Sequence, residues 1–215
     1  MRFLPTFLVA LVLIVSASCN SAVLKSPLVD PEKATRFPVL DGTFKSVEPS
    51  TKKTSWLHVG SAGREFPAGF HKIVWVSEFG DFGLISVQLC GFLEKIEDHY
   101  FLHLPCPEIS EELEEPRSFQ LFPGGWDPES VRHYSLFRLS RSNEGIDIQF
   151  LNASYVISQI ESNSLKGTVR IVDPEDDMPS KFAMITAKPA ELLEYLKSDS
   201  SEKLFERKIH FKRID

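Results

Sequence analysis

Cys19 is the residue whose chemistry the chain most clearly prepares. Residues 1–18 open with one positive charge, Arg2, and run through a short apolar stretch, residues 7–15. They end in the small residues Ser16, Ala17 and Ser18, directly before the thiol. That is the pattern of an export signal, too short to remain in a bilayer as a permanent helix. Small residues there admit a peptidase that cuts on the amino side of Cys19. A cysteine is needed because its thiolate is the nucleophile that accepts a lipid. The expectation is cleavage before Cys19, diacylglycerol on its sulfur and a fatty acyl group such as palmitate on the new amine. Two or three chains hold a protein at a membrane where one does not. An ordinary secretory signal that happens to end near a cysteine is the other reading.

The remaining reactive residues form no recognisable machine. His99 and His103 are four apart. On a strand that spacing is about 13 Å, too far for one zinc ion, so both read as histidines on a strand surface. Asp173, Glu175 and Asp177 alternate like the start of a calcium loop, but Met178 stands where that loop needs glycine. Gly60-Ser61-Ala62-Gly63 has the glycines of a phosphate loop without the following lysine. There is no Gly-x-Ser-x-Gly elbow, His-Glu-x-x-His or Cys-x-x-Cys. No metal and no cofactor is expected. A hydrolase with a dispersed site would have to be built around a residue such as His58 or His71. Trp56, Trp75, Phe82, Phe101 and Trp126 could line an apolar pocket, although core packing is the ordinary use of aromatics. In an exported protein Cys90 and Cys106 invite a disulfide. The strand pattern sets Cys90 on a wetter face and Cys106 on a buried one, so a Cys90–Cys106 bridge stays open rather than assigned.

The elements that must position these residues are mostly strands. In residues 84–96, Ile85, Val87, Leu89 and Leu93 alternate with Ser86, Gln88 and Glu94. A two-residue turn at Glu97-Asp98 sets Leu93 opposite Leu102 and brings both apolar rows to one face. The preceding run, residues 70–79, is apolar on both faces around Ile73, Val74, Trp75 and Val76, as in a strand covered on both sides. A second hairpin pairs Phe137 with Phe150 and Leu139 with Ile148. Two helices are expected, one capped by Asn152 and one starting near Pro189. Strands at 168–172 and 182–186 lie between them, and a last strand covers 209–214. Leu204-Phe205 is expected to dock on the core.

The 215 residues carry a net charge of −6 with 14 prolines, which suits a turn-rich β domain and gives no phosphate-tracking surface, so no nucleic-acid partner is expected. No other segment is apolar and long enough to cross a membrane as a helix. The predicted organisation is a signal over residues 1–18, a tether over 19–38 and a single β-rich domain over 39–215. The fold class is α+β and mainly β: an antiparallel barrel or sandwich of about eight to ten strands with two or three short helices.

Several pieces together resemble an uncharacterised group of bacterial lipoproteins. They are Asp41-Gly42-Thr43-Phe44, Leu57-His58-Val59-Gly60, Phe66-Pro67-Ala68-Gly69-Phe70, Tyr100-Phe101-Leu102 and Leu165-Lys166-Gly167-Thr168. Thr186-Ala187 leading into residues 191–196, Leu204-Phe205 and Phe211-Lys212-Arg213 complete the set. The residues before Cys19 resemble a bacterial lipobox, and Asn20 rather than Asp behind it points to the outer membrane. The Gly42-Thr43-Phe44 opening is also similar to the Gly-x-Trp start of lipocalins, with Phe44 in place of the Trp. The resemblance implies a lipid-anchored protein of the cell envelope with a β-rich domain, facing the periplasm or the cell surface. Its expected partners are the membrane, through the lipid, and a protein or a small apolar ligand. The leading expectation is a binding or scaffold domain without catalysis; the alternatives are a lipocalin-like carrier and a cell-envelope hydrolase.

Overall fold

The computed structural model describes residues 20–78, 83–107, 118–120, 122, 125–172 and 180–215. Cys19 and the signal, the acidic run from Glu108 to Glu115, the 173–179 loop and Phe82 lie outside the described residues.

Twelve strands form one sheet. In chain order they are β1 (Ser21–Leu24), β2 (Gly42–Val47), β3 (Thr54–Ser61), β4 (Phe70–Glu78), β5 (Leu84–Ile96) and β6 (His99–Pro107). Then come β7 (Ser118–Gln120), β8 (Val131–Arg141), β9 (Gly145–Leu151), β10 (Gly167–Val172), β11 (Ser180–Ile185) and β12 (Phe205–Arg213). Helices α1 (Ala153–Glu161) and α2 (Pro189–Leu196) follow β9 and β11. Eight strands run as an antiparallel meander, β2-β3-β4-β5-β6-β8-β9-β12, and β12 returns to β2 to close a barrel. Closure leaves these strands no free edge along their shared ladders. The wing β1-β11-β10 grows from β8, with β1 parallel to β11. β7 pairs in parallel with the start of β5.

The expected antiparallel barrel is therefore present, with twelve strands in its sheet rather than eight to ten. Both hairpin registers hold: Leu93 faces Leu102, and Phe137 and Leu139 face Phe150 and Ile148. Asn152 caps α1 by accepting from the Tyr155 amide at 3.0 Å.

The expected tether is a correction. Residues 21–24 form β1, and the chain after it crosses one mouth of the barrel. Two 3-10 helices, Pro31–Lys33 and Pro38–Leu40, carry this crossing. Val29, Ala34 and Phe37 pack against the core and Leu40 is buried. Prolines that read as tether residues start these turns, because their fixed φ suits a first helical position. Gly69 lets the crossing come close: a Cβ there would lie 2.0 Å from the Ala34 carbonyl oxygen. Gly69→Ala is expected to lower stability by about 1–3 kcal/mol by forcing the two backbones apart. Urea unfolding checks this, and an unchanged midpoint would mean that the mouth segment is not seated on the barrel.

Two cores result. The first fills the barrel and continues outside it, where Phe66, Phe70, Phe92, Phe122 and Trp126 cover the wall of β4 and β5. The second lies between the wing, α1, α2 and the outer wall of β6 and β8, around Phe101, Leu136, Val156, Ile185, Leu192 and Phe205. Leu204 and Phe205 dock there as expected. These outer covers overturn two expectations. Cys90 is buried although it sits on the supposedly wetter face, and His103 is wholly buried rather than on a strand surface.

Candidate functional site

The barrel interior is occupied by the chain's own side chains. Trp75 on β4 and Phe211 on β12 belong to strands that are not neighbours, yet their rings meet edge to face at 5.3 Å. Phe44, Phe150 and Phe211 expose 2%, 1% and 0% of their surface. These rings pack against other apolar side chains of the barrel core, with Trp75 partly buried beside them. Near them the Trp75 indole N–H is buried with no hydrogen-bond partner among the described residues. At the rim, the Arg213 guanidinium lies 5.8 Å from the Phe44 ring and donates to the Asp41 carbonyl at 3.1 Å.

The covered mouth holds a buried polar group. His71 lies on the inward face of β4, opposite Gly91, and is fully buried. Its Nε2 accepts from the Phe37 amide at 3.2 Å, so the ring proton sits on Nδ1, which faces Asp41 Oδ1 at 3.6 Å. Asp41 in turn pairs with Arg36. Burial pushes the His71 pKa down to about 4, against the pull of the Asp41 charge. An Asp–His pair serves as a base only when the far imidazole nitrogen is free to reach a nucleophile. Here a backbone amide occupies that nitrogen, so the group braces the mouth segment. His58, the other residue considered for catalysis, is exposed and bonded to Thr43 Oγ1 at 3.1 Å.

A second polar group crosses the outer wall. Ser140 faces Asp147, and Asp147 faces His210. His99 Nδ1 lies 3.0 Å from Ser140 Oγ. Serine, histidine and aspartate thus share one row, but Asp147 is engaged by His210 at 2.8 Å and Lys208 at 2.7 Å rather than by His99. These ion pairs hold its carboxyl below the usual range although burial opposes them. Beside the row, Arg138 is 3% exposed. It forms a bidentate pair with Glu202 at 2.7 and 3.0 Å, donates to Gln149 and stacks over the Phe205 ring. The hydrogen bonds from Arg138 lower the Glu202 pKa. Glu202→Ala leaves this guanidinium buried and half-satisfied. The expected loss is about 1–3 kcal/mol, between the values for surface and buried pairs, read from thermal or urea unfolding. Sequence reasoning missed this pair, since nothing local links residues 138 and 202.

The aromatics considered for one pocket are dispersed. Trp75 is in the lumen, Trp126 on the outer wall against Phe70 at 4.8 Å, Phe101 in the second core against Phe205, and Trp56 on the outer wall under Lys45. Cys90 and Cys106 are both free thiols. Burial pushes the Cys90 thiol up to about 11 and also raises that of Cys106. Among the described residues, no group of three or more His, Cys, Asp or Glu is placed to hold a metal ion. No described helix is long and apolar enough to cross a membrane.

Next to Cys19, Asn20 is fixed in place. Its Oδ1 accepts from the Lys181 amide at 2.9 Å, and its Nδ2 reaches Ser154 Oγ at 3.5 Å. No family model matches the chain, and neither the curated proteins nor the solved structures give a significant match.

Proposed function

We propose that this chain is a lipid-anchored domain of the cell envelope that binds or scaffolds other proteins and holds no small molecule of its own. The observation that carries this reading is the filled lumen, with Trp75 and Phe211 in contact across it. It is joined to the export signal and the acceptor thiol of Cys19. An apolar interior within a wall that bears Lys72, Asp147, Lys208 and His210 outside is the reverse of a membrane-spanning barrel, whose outer face is apolar. That polarity favours a domain standing on the membrane over one passing through it. The anchor would hold it in the outer membrane, as Asn20 suggests. The resemblance to uncharacterised bacterial lipoproteins agrees with this placement.

A second reading, a carrier of a small ligand, draws on the closed eight-strand barrel and on the unpartnered Trp75 indole, a donor that a ligand oxygen could satisfy. Native mass spectrometry of full-length protein, extracted gently from host membranes, separates the two. The expected mass shows cleavage before Cys19 plus acyl chains, lost in Cys19→Ser, with nothing further released on activation. A released non-covalent mass would replace the scaffold by the carrier. A cleaved but unacylated species would remove the anchor.

A further inference from the structure

We propose that the outer wing of the sheet, where Asn20, just ahead of β1, stands beside Lys181 of β11 and Ile171 of β10, lies directly against the lipid bilayer and fixes the orientation of the barrel on the membrane. The proposal rests on the reading of Cys19 as the lipidated residue, and it adds which face of the domain meets the lipid.

The argument begins with the missing tether. Consecutive Cα atoms are about 3.8 Å apart, so the lipid-bearing residue stands one such step from Asn20. Asn20 is held by β11 and α1 through Lys181 and Ser154. β1 begins at the next residue and pairs with β11 from Ser21 opposite Phe182 to Leu24 opposite Ile185. Leu24 is fully buried. A flexible tether of 20 residues would give the domain a reach of about 25 Å. Here no free residue separates anchor and sheet, and the acyl chains bring this wing to the headgroups.

The surface next to the anchor suits that position. Lys181, whose amide binds Asn20, has Ile171 as its cross-strand partner. Ile171 is 57% exposed, the most exposed large apolar side chain among the described residues. Strands lie about 4.8 Å apart, so Ile171 is two strand spacings, about 10 Å, from the strand that carries the anchor. On that face the Lys181 ammonium pairs with Glu161 at 2.7 Å, whereas Arg170 turns to the other face of β10 and stacks on Phe182 at 4.6 Å. An exposed isoleucine beside the aliphatic stem of a lysine can enter the interface while the ion pair of that lysine stays among the headgroups.

The test uses acylated full-length protein in vesicles that contain a lipid with a nitroxide on its headgroup. Ile171→Cys and, on β3, four strands round the barrel from β8, His58→Cys are each labelled with bimane. The lipidated Cys19 offers no thiol. Brief labelling at neutral pH spares Cys90 and Cys106, since the thiolate is the reactive form and burial raises both pKa values. The expected result is loss of emission at 171 and none at 58. A glycine–serine insertion of about twelve residues between Cys19 and Asn20, with a reach of about 20 Å, should abolish the difference. Acylated protein with equal emission at the two positions overturns this proposal and leaves the anchor standing. An intact mass without acyl chains overturns the anchor and the proposal together.

Discussion

Phe211→Ala is expected to destabilise the protein by about 3–5 kcal/mol, the range for removing a large aromatic from a packed core. Phe211 is fully buried on β12, the strand that closes the barrel, and its ring meets Trp75 on the far side of the lumen. Its carbonyl lies so close to Gly145 on the neighbouring β9 that a Cβ there would be 1.9 Å away. The neighbouring His210 points outward and is 48% exposed in its pair with Asp147. His210→Ala is expected to cost less than about 1 kcal/mol. Urea unfolding of the two variants therefore compares adjacent residues on opposite faces of one strand. Similar small losses for both would mean that the lumen is not packed, and the carrier reading would then gain.

His103→Leu is expected to stabilise the protein at pH 7.5, by about 1–3 kcal/mol, the penalty of leaving a buried polar group unpaired. His103 is fully buried, neither ring nitrogen has a partner among the described residues, and the ring stacks on Phe92 at 5.1 Å. Its cross-strand neighbours are Phe92 and Leu136, which would accept leucine readily. The same substitution should flatten the response to acid. Burial lowers the His103 pKa to about 3, whereas the unfolded chain takes up this proton near the ordinary value of about 6.5. Between those values the unfolded state binds more protons than the folded one, so stability falls as pH drops from about 6.5. The loss is on the order of a few kcal/mol by pH 4. His71, with its pKa at about 4, adds a loss of the same sign from about 6.5 to 4. The lowered carboxyls of Asp147, Glu202 and Asp215 act in a lower window, below the ordinary carboxylate values of about 4. Urea midpoints at pH 7.5 and pH 5 for parent and His103→Leu isolate the histidine. An unchanged difference between the two pH values would show that His103 is not the group that takes up the proton.

What the sequence could reveal was local. Period-two alternation set the register of β5 with β6 and of β8 with β9, because one slip would have turned every apolar side chain outward. Asn152 and Pro189 marked the two helix starts through their backbone chemistry. The failures share one cause: the outer face of a strand is wet or dry according to what arrives from elsewhere in the chain. Cys90 and His103 look like surface residues within their own strands and are buried by segments more distant in sequence. β1 was missed because four residues carry too little pattern, and its partner β11 lies at the other end of the chain. The Arg138–Glu202 pair was invisible for the same reason. At the candidate anchor the thiol of Cys19 could be read from its neighbours, whereas the rigid seat of Asn20 could not.

For a chain exported as proposed, the parallel pairing of β1 with β11 would also set an order of events. A polypeptide threaded through a membrane amino end first delivers β1 before anything else in the domain. Its partner, about 160 residues further on, arrives almost last. Contacts of such separation close slowly, because the loop entropy must be lost before the pairing can reward it. In the proposed lipid-anchored form, the amino end would stay unpaired during that interval and open to cleavage and acylation. The pairing of β1 with β11 then holds Asn20 and the strand after it in the finished sheet.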